Sequence, residues 1–163
     1  MKTIGILGGM GPEATNRLAT LITSLTVVSK DQEHIPVISF NNSKIPHRIN
    51  AIFNNTESPL PEMIRMAKGL EFLGADFLII PCNTAHYFIK DIQPHINIPF
   101  INMIEETVRF VSDNYQDTKK VGILGTNLTI KMKLYEKPLE EKGIQIIRPS
   151  SKNEELVMQA IYG

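Results

Sequence analysis

An eight-residue segment near the start of the chain, Lys2-Thr3-Ile4-Gly5-Ile6-Leu7-Gly8-Gly9, returns 117 positions later as Lys119-Lys120-Val121-Gly122-Ile123-Leu124-Gly125-Thr126. Each copy is an apolar run ending in glycine, the form of a buried strand that turns at once into the next element. A looser echo sets Ile35-Pro36-Val37-Ile38 against Ile144-Gln145-Ile146-Ile147, 109 positions apart. Two readings stand. Strand-to-glycine turns share letters wherever they occur, or the chain holds two similar halves, the second starting near Thr118. On the second reading, the counterpart of a residue near position 82 falls roughly 109 to 117 residues later, past Gly163, and the second half is expected to be unfinished.

Short β-rich runs alternate with longer segments of helical period, the pattern of a parallel α/β sheet. The sequence predicts strands at residues 3–7, 37–40, 77–80, 100–103, 121–124 and 144–147. Helices are predicted at residues 12–28, 61–73, 84–92, 105–114, 130–142 and 153–161. Leu60, Met63, Ile64, Ala67, Leu70 and Leu73 share one helical face. Gly74 and Gly143 each stand just past a helical run, where a left-handed C-cap belongs. Residues 41–59 are polar and rich in Asn and Pro, and read as a long binding loop. The expected fold class is α/β. It comprises two similar three-layer halves with parallel sheets related by a pseudo-two-fold repeat, residues 1–103 forming the first and residues 104–163 a partial second.

The single cysteine, Cys82, lies in Ile79-Ile80-Pro81-Cys82-Asn83-Thr84-Ala85-His86, where a strand runs into a predicted helix start. Free N–H groups and positive potential at a helix N-terminus favour a thiolate. Asn83 and Thr84 offer an amide and a hydroxyl that can donate to a carboxylate or cap the helix. A thiol base beside such groups suits abstraction of a proton α to a carboxyl group. The structural alternative is a buried small apolar residue. His86 either tunes the thiol or caps the helix.

The turn Gly8-Gly9-Met10-Gly11-Pro12-Glu13-Ala14 fits the dinucleotide pattern G-x-G-x-x-A from Gly9 to Ala14. Pro12 removes an N–H from that turn, however, and the second strand ends at Asn41 and Asn42 with no acid for a ribose hydroxyl. Glycines bringing backbone close to a small carboxylate fit better. A tight turn without a ligand is the other reading. In the 41–59 loop, Arg48 is suited to bidentate grip of a carboxylate, against the alternative of a solvated surface charge.

Metal binding has little support, because His34, His47, His86 and His95 show no ligand spacing and one cysteine makes no structural zinc site. No lysine is set for a Schiff-base cofactor. With 17 basic and 17 acidic residues, the chain has no field to draw nucleic acid or an anionic membrane. No apolar run approaches a membrane span, no signal peptide is expected ahead of the N-terminal strand, and a lone cysteine makes a reducing cytoplasm the expected compartment.

These residues resemble the cofactor-independent aspartate/glutamate racemases, the aspartate racemase branch in particular. The resemblance is carried by Ile4-Gly5-Ile6-Leu7-Gly8-Gly9-Met10-Gly11-Pro12, Asn42-Ser43-Lys44-Ile45-Pro46-His47-Arg48, Pro81-Cys82-Asn83-Thr84-Ala85-His86 and Met103-Ile104-Glu105-Glu106. It implies a pair of cysteines flanking the substrate α-carbon, with Cys82 as the first-half member and no cofactor or metal. It further implies that Met10, Asn83 and Thr84 lie against an acidic amino acid, that Arg48 meets a carboxylate, and that Thr126 lines the site from the second half. Glu13 is a further candidate at the entrance. A homodimer is expected, as in relatives. The second cysteine of the family pattern is absent from these residues, so the chain is expected to be weak or inactive as a racemase. Two other readings are a single-cysteine decarboxylase-type enzyme and a non-catalytic dicarboxylate binder.

Overall fold

In the computed structural model, which describes residues 1–54 and 56–163, strand β1 (Ile4–Gly8) is buried along its whole length. A strand of only apolar residues and glycine suits the centre of a parallel sheet, covered on both faces. β1 is followed by helix α1 (Pro12–Leu25), strand β2 (Val37–Asn41), helices α2 (Arg48–Phe53) and α3 (Leu60–Phe72), and strand β3 (Phe77–Ile79). A 3-10 helix at Thr84–Phe88, helix α4 (Ile89–Ile92) and a 3-10 turn at Gln93–His95 come next, then helix α5 (Met103–Asn114). The sheet order is β2-β1-β3, all parallel, with Ile4 opposite Val37 on one side and Phe77 on the other.

The remaining elements are β4 (Lys120–Gly122), α6 (Asn127–Lys131), α7 (Glu136–Glu140), β5 (Gln145–Ile147) and α8 (Ser151–Tyr162). β4 and β5 pair in parallel. The chain divides into two compact units, Met1–Met103 and Ile104–Gly163.

The core of the first unit is built on α3, where Met63, Met66, Ala67 and Leu70 are buried at helical spacing. They join Leu7, Leu78, Ile80, Ala85, Phe88 and Ile92 in one cluster. Met66 was not on the predicted face, and Leu73, which was, is 63% exposed because the helix ends at Phe72. Gly74 and Gly143 take φ of +95° and +72° just past α3 and α7. In the second unit a smaller cluster of Val108, Leu139 and Ile144 is lined by Val111, Val121, Tyr135 and Ile146.

The sequence repeat is visible in the register. Ile4 faces Val37 in one sheet and Val121 faces Ile146 in the other, and Gly5–Ile38 is matched by Gly122–Ile147. The two echoes, found at different offsets, thus bring equivalent residues into register within each unit.

Four expectations need correction. Residues 100–103 form no strand: Phe100 makes one parallel bridge to Leu78, and Met103 already opens α5. The predicted helix over 130–142 is two short helices, α6 and α7, with Lys133 between them at φ 53°. Pro138 falls in the first turn of α7, where its missing N–H has no helical partner to lose. The predicted helix over 84–92 begins as a 3-10 turn. The 41–59 loop contains α2, and its Asn55 lies outside the described residues.

Candidate functional site

β3 delivers Ile80, 2% exposed, into the core, and the chain then turns through Pro81 to a half-buried, free Cys82. The Cys82 N–H donates back to the Ile80 carbonyl at 2.9 Å, which closes a tight bend at the strand end. The Cys82 Sγ lies 3.5 Å from the Thr84 hydroxyl oxygen, within range of a sulfur hydrogen bond. The bend leads into a 3-10 helix of five residues, whose N-cap residue, Asn83, makes no side-chain capping bond to it. The expected α-helical N-terminus is thus replaced by a 3-10 turn. The hydroxyl of Thr84 is the polar group beside the sulfur.

His86 is 7% exposed, and its ring is tied to main chain at both nitrogens. Nδ1 lies 2.8 Å from the Cys82 carbonyl oxygen, and Nε2 accepts the Met103 N–H at 3.1 Å. The ring thereby braces the backbone around the thiol.

Arg48 opens α2, which packs against the Thr84–Phe88 segment. Its Nη1 donates to the Pro46 carbonyl at 3.4 Å, while its buried Nε has no hydrogen-bond partner among the described residues. A buried guanidinium N–H without an acceptor is a costly group, and a carboxylate is its natural complement. Met10 is 6% exposed and belongs to the core cluster that Cys82 borders. Glu13 stands exposed in the first turn of α1.

The glycine turn is knit to itself. The Gly9 N–H donates to the Thr15 hydroxyl at 2.9 Å, and that hydroxyl donates to the Gly11 carbonyl at 3.1 Å. The Gly9 amide is thereby spoken for. What Gly9 admits is the close approach of the Asn42 main chain, while Gly8 makes room for the Thr15 side chain. Asn42 is in turn anchored: its Nδ2 donates to Glu62 at 2.6 Å and its Oδ1 accepts the Lys44 N–H at 2.9 Å. Arg65 grips the same Glu62 carboxylate through two nitrogens, at 2.6 and 2.8 Å, and lies over the Phe40 ring. That grip holds the Glu62 carboxyl below the usual carboxylate range, against the opposing effect of burial, with the Asn42 bond adding to it.

In the second unit, Thr126 is the N-cap of α6 and accepts the Thr129 N–H at 3.3 Å. Among the described residues, no group of three or more His, Cys, Asp or Glu could hold a metal ion. No helix among them is long and apolar enough to cross a membrane.

A family model for Asp/Glu/Hydantoin racemase matches residues 7–162. The chain belongs to this racemase family. Among its curated relatives is the broad specificity amino-acid racemase RacX of Bacillus subtilis (strain 168), 31% identical over 148 residues. That match takes in 88% of this chain and 63% of the relative, so the chain spans less than two thirds of that protein's length. Among solved structures, the aspartate racemase of Picrophilus torridus superposes with a TM-score of 0.88 at 34% identity, over 99% of this chain and 67% of that one. An aspartate racemase homologue from Pyrococcus horikoshii OT3 gives 0.81 at 27% identity, over 99% of this chain and 70% of its own.

Within this racemase-family chain, the structure gathers Cys82, Asn83 and Thr84 at one strand end and places the α2 helix bearing Arg48 beside them. Thr15 and the pair Asn42 and Glu62 were not singled out from sequence as a framework for the site. Thr15 carries a readable signal, a hydroxyl one helical turn after a glycine-rich bend. The Asn42–Glu62 bond spans 20 residues and leaves no local pattern.

Proposed function

We propose that this chain works as a cofactor-independent racemase-type enzyme on acidic amino acids, with aspartate favoured, using the Cys82 thiolate as its base. The observation that carries the reading is Arg48. Its buried Nε lacks an acceptor among the described residues, and its helix packs on the segment that follows the thiol. A substrate carboxylate on Arg48 would bring a neighbouring α-carbon toward the Cys82 bend. Asn83 and Thr84 supply further donors, Met10 forms apolar wall, and Thr126 is assigned to the substrate as well.

In the reaction, the Cys82 sulfur takes the α-proton and the electron pair of that C–H bond passes into the adjoining carboxyl group. Return of a proton to the α-carbon restores the amino acid. Inversion needs an acid and a base on opposite faces. These 163 residues contain one cysteine, so we expect proton exchange from one enantiomer, with racemisation weak or undetectable. The working form is taken as a homodimer in the reducing cytoplasm, which sedimentation of the purified protein and fractionation of its host would check.

The test is deuterium uptake at the α-carbon of L- and D-aspartate and glutamate in D2O, using the 163-residue protein and its Cys82→Ser variant. Exchange that is lost in Cys82→Ser supports the reading. Exchange that survives in Cys82→Ser, or calorimetric binding of aspartate with no exchange, overturns it. Release of CO2 from a substituted malonate without exchange would instead assign single-face protonation chemistry.

A further inference from the structure

We propose that His86 is a positioning residue for Cys82, its ring fixing the direction of the thiol through the Cys82 main chain. The inference rests on Cys82 being the reacting group. A carbonyl can only accept, so the Cys82 oxygen 2.8 Å away requires a proton on Nδ1. An amide N–H can only donate, so Met103 requires a lone pair on Nε2. Both demands select the same neutral tautomer, which two independent main-chain groups therefore specify.

The consequence for Cys82 is that its peptide groups are held on both sides. Its N–H is bound by the Ile80 carbonyl and its own carbonyl by the His86 ring, with Thr84 beside the sulfur. Fixing both peptide planes fixes the Cα–Cβ bond, and with it the cone the sulfur can reach. The other end of the strut, Met103, is the first residue of α5, whose early N–H groups have no partner inside the helix. His86 thus spends its two nitrogens on aiming the thiol, and neither is left to exchange a proton with it while both bonds persist. Proton transfer falls steeply with misplacement, and about 1 Å can cost roughly a hundredfold.

The test compares the full chain with His86→Asn, His86→Gln and His86→Ala. Asn places an amide N–H near the former Nδ1 and can keep the Cys82 bond, whereas Gln reaches toward the former Nε2 position. Three readouts are used: α-deuterium exchange, the pH dependence of Cys82 alkylation by iodoacetamide, and the Cβ signal of 13C-labelled cysteine, which is one resonance because the chain has one cysteine. We expect His86→Ala to lower kcat of exchange by about tenfold to a hundredfold with KM little changed, and His86→Asn to recover most of it. The alkylation midpoint stays put across the series. The Cβ signal is single in wild type and His86→Asn, and broadened or split in His86→Ala. A midpoint that rises by about a pH unit in His86→Ala would make His86 an ion-pair partner of the thiol and overturn the proposal. So would a folded His86→Asn no better than His86→Ala. Should His86→Ala not fold, His86→Asn against His86→Gln decides, with Asn expected to be the better. If wild type shows no exchange, the functional reading fails on its own. The Cβ signal then still decides whether His86 aims the thiol.

Discussion

Gly9 and Asn42 meet main chain to main chain, so closely that a Cβ on Gly9 would overlap the Asn42 carbonyl and come within 2.6 Å of its nitrogen. Gly9 also sits at φ +99°, where an L side chain is strained. Left-handed backbone costs about 1–2 kcal/mol, and overpacking against rigid atoms about 1–3 more. Gly9→Ala should therefore lose on the order of 3 kcal/mol in urea unfolding, or fail to fold. Gly69→Ala, inside α3 with only an ordinary 3.9 Å contact to Phe40, should gain about 0.5–1 kcal/mol. Equal effects from the two changes would contradict the assignment.

Thr15 makes a second test of the same turn. It is fully buried, accepting from Gly9 and donating to Gly11. Thr15→Val keeps the shape but leaves the buried Gly9 N–H unpaired, which should cost about 1–3 kcal/mol. Thr15→Ser keeps the hydroxyl, so only its lost methyl should register. A Thr15→Val protein as stable as wild type would show that the hydroxyl is not what closes the turn.

Glu62 gives a pH-dependent prediction. Arg65 and Asn42 depress its carboxyl in the folded state. A depressed acid contributes stability above its unfolded value and loses it as pH falls through the folded one. Wild type should thus lose stability below about pH 4.5 more steeply than Glu62→Gln, in urea midpoints followed from about pH 6 to 3. The effect is modest, because Arg65 is mostly exposed. Matching slopes would remove Glu62 from the acid response.

What the sequence made legible follows physical range. Strand β1 was readable as an unbroken apolar run ending in glycine, and most of the α3 face because burial on one side imposes a helical period. Strands β4 and β5 were readable because the repeat copied their apolar runs. Cys82, Asn83 and Thr84 were readable because the chemistry sits in consecutive residues. The helix over 130–142 was misread because its apolar period runs on through Lys133, whose left-handed backbone leaves no trace in composition. The two ring bonds of His86 were hidden for another reason. One of them joins residues 17 apart, and the other uses a main-chain oxygen that any residue carries.

Tyr135 supplies the alkaline counterpart of Glu62. It packs against the cluster of Val108, Leu139 and Ile144, and burial pushes its phenol above the ordinary value, against the opposing pull of a hydrogen bond with Thr107. Here the folded pKa is raised, so the stabilising contribution is fully present below the unfolded value, near 10. It is lost as pH rises through the folded one. Wild type should therefore weaken in urea between about pH 9.5 and 11.5 more than Tyr135→Phe, which has no proton to lose. Absorbance at alkaline pH should show one tyrosine titrating late in wild type, and that late component should be missing in Tyr135→Phe. A Tyr135→Phe protein that keeps both the late component and the steep alkaline loss would place the buried phenol elsewhere.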